Sequence, residues 1–177
     1  KDFDAVFHKE HPPGFRWLHG RFGSNYRMTE MQAAVGRNAL KHLPSWTKTR
    51  QDNAARLDAS LQKFDVVRCP QVPSDVEHAC YKHYAYVRPE RLKEGWSRDR
   101  IMNAITALGV PCFSGSCSEI YLEHAFDAGD VRPTAPLPVA HELGETSLLF
   151  LVHPTLTEEN LQRSCQAIER VLAEATP

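Results

Sequence analysis

A capped, one-sided helical pattern begins at Thr29, and it constrains the chain more than any other feature. Met31, Ala34, Val35, Ala39 and Leu43 recur at three- and four-residue steps, the spacing of a single apolar stripe on a helix. Thr29 and Gln32 fit a capping box, in which hydroxyl and amide satisfy exposed backbone donors at the helix start. Gly36 inside this run costs roughly 1 kcal/mol relative to alanine. Close approach by another backbone is the usual compensation, so the stripe is expected to be packed. Pro44 predicts a break or kink, with Ser45 capping a second helix over 46–63 whose inward side is Ala54, Leu57 and Leu61. A long amphipathic element of this kind requires a second layer to cover it.

The remainder of the chain supplies that layer. Val66–Cys69 and His83–Arg88 read as short strands ended by Pro70 and Pro89. Ser97 caps a helix carrying Ile101, Met102, Ile105 and Leu108 inward, with Gly109 as its stop. An extended piece over 110–113 leads into the turn Ser114-Gly115-Ser116-Cys117, and Ser118 is expected to cap a brief helix through Ala125. A loop containing three prolines spans Asp127 to Pro138. The apolar run 147–152 suits a strand buried on both faces. Thr157 opens a last helix with Leu161, Cys165, Ile168, Val171 and Leu172 inward. The expected fold is α+β, a short mixed or antiparallel sheet packed with helices.

Composition excludes several classes. The chain has 177 residues, 42% of them hydrophobic, and a formal net charge of -1. That length holds a core, while the charge offers no basic field for nucleic acid. No apolar run approaches the roughly 20 residues that span a bilayer, and no signal peptide opens the chain. The five scattered cysteines form no Cys-x-x-Cys pair, so reduced thiols in a cytoplasmic protein are expected, with no disulfide framework or zinc site. His8 and His11 stand three apart without a third obvious ligand, so no metal is expected there. Cys117 before a helix would gain thiolate character, but 115–118 does not match Gly-x-Ser-x-Gly and no base stands at fixed spacing. An anion or sugar contact suits this turn better. The aromatic-rich stretch 11–20, full of turn residues, reads as an ordered loop that packs on a partner or a site.

One segment is of another kind. Gly23-Ser24-Asn25-Tyr26-Arg27-Met28-Thr29-Glu30-Met31-Gln32-Ala33-Ala34 resembles the Gly-x-Asn-Tyr-Arg-Met-x-Glu-x-Gln-Ala-Ala signature of the DegT/DnrJ/EryC1/StrS sugar aminotransferases. Tyr84–Val87, the 137–140 stretch leading into 149–154, and Arg16-Trp17-Leu18-His19 resemble further family segments. The resemblance implies the C-terminal small domain of a fold-type-I transferase dependent on pyridoxal 5'-phosphate (PLP). It divides the chain into an interface arm (1–28), paired linking helices (29–63) and a small α+β domain (64–177).

The family works as homodimers with active sites at the subunit interface. The resemblance implies that Asn25 reaches the cofactor phosphate of the neighbouring subunit. Arg27 either adds a charge-assisted contact to that phosphate or to a nucleotide diphosphate, or is a surface cation. Phe113, Ser114 and Ser116 are implied contacts to the nucleotide sugar, with Trp17 and His19 closing over the partner's site. The family's frequent His-Tyr-x-Pro stretch is replaced here by 112–117. The lysine that holds PLP and shuttles the proton lies upstream of Lys1 in the family, and neither Lys1, Lys9, Lys41 nor Lys48 matches its motif. The chain, which lacks an initiator methionine, is therefore expected to be the C-terminal part of such an enzyme and inactive alone. A deoxysugar dehydratase dependent on pyridoxamine phosphate, or a non-catalytic interaction module derived from the family, are the alternatives.

Overall fold

The computed structural model describes residue 7 and residues 18–24, 26–127 and 131–177. Its dominant element is α1, Glu30–Leu61, a single helix of 32 residues. The expected capping box is present: Thr29 Oγ1 accepts from the Gln32 N–H at 3.2 Å, and Gln32 Oε1 accepts from the Thr29 N–H at 2.9 Å. The expected break at Pro44 is not. The helix runs through it, so the two linking helices over 29–63 are one. Proline removes one intrahelical donor, but this stretch is exposed, where water satisfies the freed carbonyl. Ser45 is no cap; its hydroxyl donates back to the His42 carbonyl at 2.9 Å.

Among the described residues, four short strands form one antiparallel sheet: β1 (Val67–Arg68), β2 (His83–Val87), β3 (Cys112–Phe113) and β4 (Ser147–Phe150), in the order β1-β2-β4-β3. Ala85 pairs with Leu148, Tyr84 with Leu149, and Phe113 with Leu149. Because successive side chains alternate, this register sorts the sheet into two faces. The inner face carries Val67, Ala85, Val87, Cys112, Leu148 and Phe150, all in the core. The outer face carries Arg68, Tyr84, Tyr86, Phe113, Ser147 and Leu149.

Three helices cover the inner face. The C-terminal half of α1 contributes Ala54, Leu57 and Leu61. α2, Arg98–Ala107, is capped by Ser97 and contributes Ile101, Met102 and Ile105; Gly109 ends it at φ +77°, in the left-handed region that favours glycine. A third covering helix, Glu158–Ala175, lies against α1. Thr157 and Asn160 form its capping box. Its inward row is Leu161, Ala167, Ile168, Val171, Leu172 and Ala175, and Cys165 is only partly covered.

Two local expectations fail. Ser118 caps no helix; two 3-10 turns, Ile120–Leu122 and His124–Phe126, occupy that stretch. The segment expected to lead from Pro138 into the last strand is instead α3, Pro138–Thr146, with proline in its first turn. The C-terminal helix is accordingly α4. Arg98 joins these pieces, donating to the carbonyls of Gly144 and Ser147 at 3.1 and 3.2 Å.

The N-terminal half of α1 does not pack as Gly36 suggested. Met31 and Val35 are 80% and 71% exposed, and a Cβ on Gly36 would meet nothing within 4 Å. The stripe is real, but no described residue covers it. The two halves should therefore respond differently to truncation. Leu57→Ala is expected to lower unfolding free energy by about 2–5 kcal/mol. Val35→Ala should change it by no more than about 0.5 kcal/mol, both read by denaturant titration.

Candidate functional site

The predicted turn sits where the edge strand β3 leaves the sheet. Phe113 is half exposed on the outer face. The Ser147 hydroxyl donates to the Ser114 carbonyl at 2.6 Å, and the Ser116 and Tyr84 hydroxyls lie 3.2 Å apart. Gly115, at φ +93°, lets the backbone fold onto the sheet; a Cβ there would lie 3.0 Å from the Tyr84 ring and 3.1 Å from Ser147 Oγ. The turn thus borders an outer-face row in which Tyr84 stacks on Tyr86 at 6.5 Å and the Arg68 guanidinium lies 4.5 Å over the Tyr86 ring. A cleft of about 420 Å³ opens beside it, lined in part by Lys82, Tyr84, Tyr86 and Ser116. Flat rings with polar tips and flanking cations suit a nucleotide or sugar. Gly115→Ala is expected to cost about 1–3 kcal/mol, seen as a lower denaturation midpoint.

His19 goes elsewhere. Glu123, almost fully buried, accepts from the His19 N–H at 2.7 Å and pairs with His19 Nδ1 at 2.8 Å; the His19 carbonyl accepts from the Ala125 N–H at 2.8 Å. Phe22 meets Phe126 edge-on at 5.0 Å. Residues 18–24 are thereby docked on the 3-10 segment, and His19 is not among the residues lining the tyrosine cleft. Arg27 is exposed at the entry to α1 and forms no ion pair with a described residue. Trp17 and Asn25 lie outside the described residues.

The surroundings of Cys117 disfavour a thiolate. Burial, then the neighbouring Glu123 and Glu119 carboxylates, push the Cys117 thiol up, opposite to the lowering that a helix N-terminus would give.

Sequence reasoning missed the carboxylates that hold this region. Glu119 accepts from the Tyr121 hydroxyl at 2.6 Å and pairs with His141 Nδ1 at 3.1 Å, while Tyr121 accepts from the Leu137 N–H at 3.1 Å. The 3-10 segment is thus tied to the start of α3. In sequence, Glu119 and Glu123 look like surface charges; their only signal is the apolar residues between them. The Tyr121 hydroxyl, then His141, holds the Glu119 carboxyl below its ordinary 4.5, and Glu119 raises His141 above its ordinary 6.5.

The lowered carboxyl stabilises the fold above about pH 4.5, an effect lost as pH falls through its folded value. The raised imidazole stabilises below about pH 6.5, an effect lost as pH rises through its folded value. The difference in melting temperature between wild type and Glu119→Gln should therefore peak between about pH 4.5 and 6.5. A gap that stays constant into alkaline pH would remove the ionic role of His141.

Comparison with known proteins now bears on this arrangement. The model of the DegT/DnrJ/EryC1/StrS aminotransferase family matches residues 6–169. The chain belongs to that family. A solved aminotransferase from Psychrobacter cryohalolentis superposes with a TM-score of 0.78 and 49% identity, over 99% of this chain and 46% of its own. The dTDP-3-amino-3,4,6-trideoxy-alpha-D-glucose transaminase of Streptomyces venezuelae is 29% identical over 153 residues, 86% of this chain and 38% of its own length. GDP-perosamine synthase of Caulobacter vibrioides is 27% identical over 163 residues, 90% of this chain and 42% of its own. The chain therefore spans about two fifths of the length of these two curated relatives. The α+β fold expected for the family's small domain is borne out, with a sheet that is wholly antiparallel. No described helix is long and apolar enough to cross a membrane.

Proposed function

We propose that this chain forms the small-domain side of the active site in a PLP-dependent aminotransferase that aminates a keto-sugar nucleotide, with glutamate as the amino donor. The family match over residues 6–169, joined to 49% identity with a solved aminotransferase across nearly the whole chain, carries this reading. The relatives' names, a transaminase of a dTDP-linked amino sugar and a GDP-perosamine synthase, supply the substrate class, a nucleotide-linked sugar. When bound, PLP supplies the electron sink that amino transfer needs.

What this chain's own residues do is bind and orient. Asn25 is assigned to the cofactor phosphate of the neighbouring subunit in a homodimer, as an amide donor just ahead of a helix start. Arg27 fits that role as an exposed cation with no competing ion pair among the described residues. Phe113, Ser114 and Ser116 are assigned to the sugar nucleotide, beside the Tyr84 and Tyr86 rings that border their turn. Trp17 and His19 are assigned to the arm, where Glu123 holds His19.

The described lysines do not fit the covalent role. Lys48 and Lys63 pair with Asp52 and Glu169, and Lys82 lies over the Tyr81 ring at 5.5 Å. Lys41 and Lys93 are exposed. No covalent step is assigned to this chain.

The test is PLP affinity in the enzyme assembled with the family's upstream region. Asn25→Ala should weaken PLP binding by about 10-fold to 100-fold, the range of a hydrogen bond to a charged group. Arg27→Ala should weaken it less, because an exposed charge is screened. Unchanged affinity in Asn25→Ala would sink the arm assignment.

A further inference from the structure

Three side chains from three different elements converge under the loop between β1 and β2. Asp58 comes from α1, Cys69 follows β1, and His83 opens β2. One ligand atom from each lies within 4.8 Å of the other two. His83 is more than nine-tenths buried. Its Nε2 stands 3.1 Å from Asp58 Oδ1, an ion pair when the imidazole is protonated, but the two are poorly aligned for a hydrogen bond, and neither buried atom has a well-aligned hydrogen-bond partner. Polar atoms in that condition are uncommon in folded proteins and call for an explanation.

We propose that Asp58, Cys69 and His83 form a binding site for one divalent cation of the zinc class. Sulfur, imidazole nitrogen and carboxylate oxygen together are a zinc donor set. Oxygen and nitrogen ligands at about 2.0–2.1 Å on a tetrahedral ion lie about 3.3 Å apart, close to the Asp58–His83 separation. A thiolate ligand stands about 3.6 Å from each, which a modest inward rotation of Cys69 provides. A cation placed among them gives both orphaned atoms a partner at once, which a direct Asp58–His83 contact does not do in this geometry.

The fourth position opens on the cleft that Asp58 and His83 line together with His78 and Cys80. Cys80 is not the fourth ligand. Its thiol is turned to His78 Nδ1 at 3.2 Å, on a backbone held at φ +47°. Cys69 would coordinate as the thiolate, its proton displaced by the ion. Binding therefore releases one proton and forms one metal–sulfur bond. Bound there, the ion ties α1 to both strands flanking the 70–82 loop.

The experiment is a titration of the chelator-treated chain with zinc or cobalt(II) alone. One equivalent is expected to bind, with a thiolate-to-cobalt charge-transfer band and a rise in melting temperature. Cys69→Ser should abolish the band, and His83→Gln should weaken binding at least about 10-fold, the range seen on disturbing a metal's immediate surroundings. Cys80→Ser and Cys117→Ser should leave both unchanged. The wild-type protein decides the matter even where a variant fails to fold: no charge-transfer band at one equivalent overturns the site. A band that survives in Cys69→Ser, or that disappears in Cys80→Ser, overturns the assignment of ligands.

Discussion

The structure depends on one seam, the packing of the last third of α1 between α4 and the inner face of the sheet. Leu57 and Leu61 are fully buried there beside Ile168, Leu172, Leu148 and Phe150. Burying side chains of this size contributes on the order of 1.5–3 kcal/mol each, more than any polar contact along the same helix. The polar contacts set register instead. Asn53 donates to the Val152 carbonyl, Arg56 forks onto Glu158, and Ser60 and Lys63 share Glu169. The Arg56–Glu158 and Lys63–Glu169 pairs are largely exposed and individually weak, but they recur along the helix pair and hold it against sliding.

From this anchored end α1 projects a half that no described residue covers. A segment of that length is marginal as an isolated helix, and here it is assisted by its capping box and presents an apolar stripe to solvent. The arm before it is fixed by a different device, the buried Glu123 that takes both a backbone and a ring donor from His19. The family signature thus starts on a docked loop and ends on a helix whose far end is clamped. Arg27 lies exposed between the two.

Legibility followed the range of the interactions involved. The Thr29–Gln32 and Thr157–Asn160 caps, the Gly109 stop and the strand ends at Pro70 and Pro89 are set by neighbours in sequence, and each could be read there. Pro44 misled because its penalty is local and small beside a 32-residue helix anchored further on. α3 was illegible because Val139 and Leu143 are too few to show a period. The core face of α1 was read correctly at Ala54, Leu57 and Leu61, whereas the same pattern at Met31 and Val35 says only that a face is apolar. For the site, the motif pointed to Asn25 and Arg27 as candidates, and the Ser/Gly turn was legible as a turn at the edge of the sheet. Glu119, Glu123 and the Asp58–Cys69–His83 cluster arise from tertiary convergence, which leaves no periodic trace.

Amide hydrogen exchange along α1, measured on the 177-residue chain at monomer dilution, tests this account most directly. Protection near the global unfolding limit is predicted over 53–61, where the helix is built into the core, with exchange orders of magnitude faster over 30–43. Equal protection along the whole helix would contradict it, because the N-terminal half would then have a stabilising partner within the chain itself.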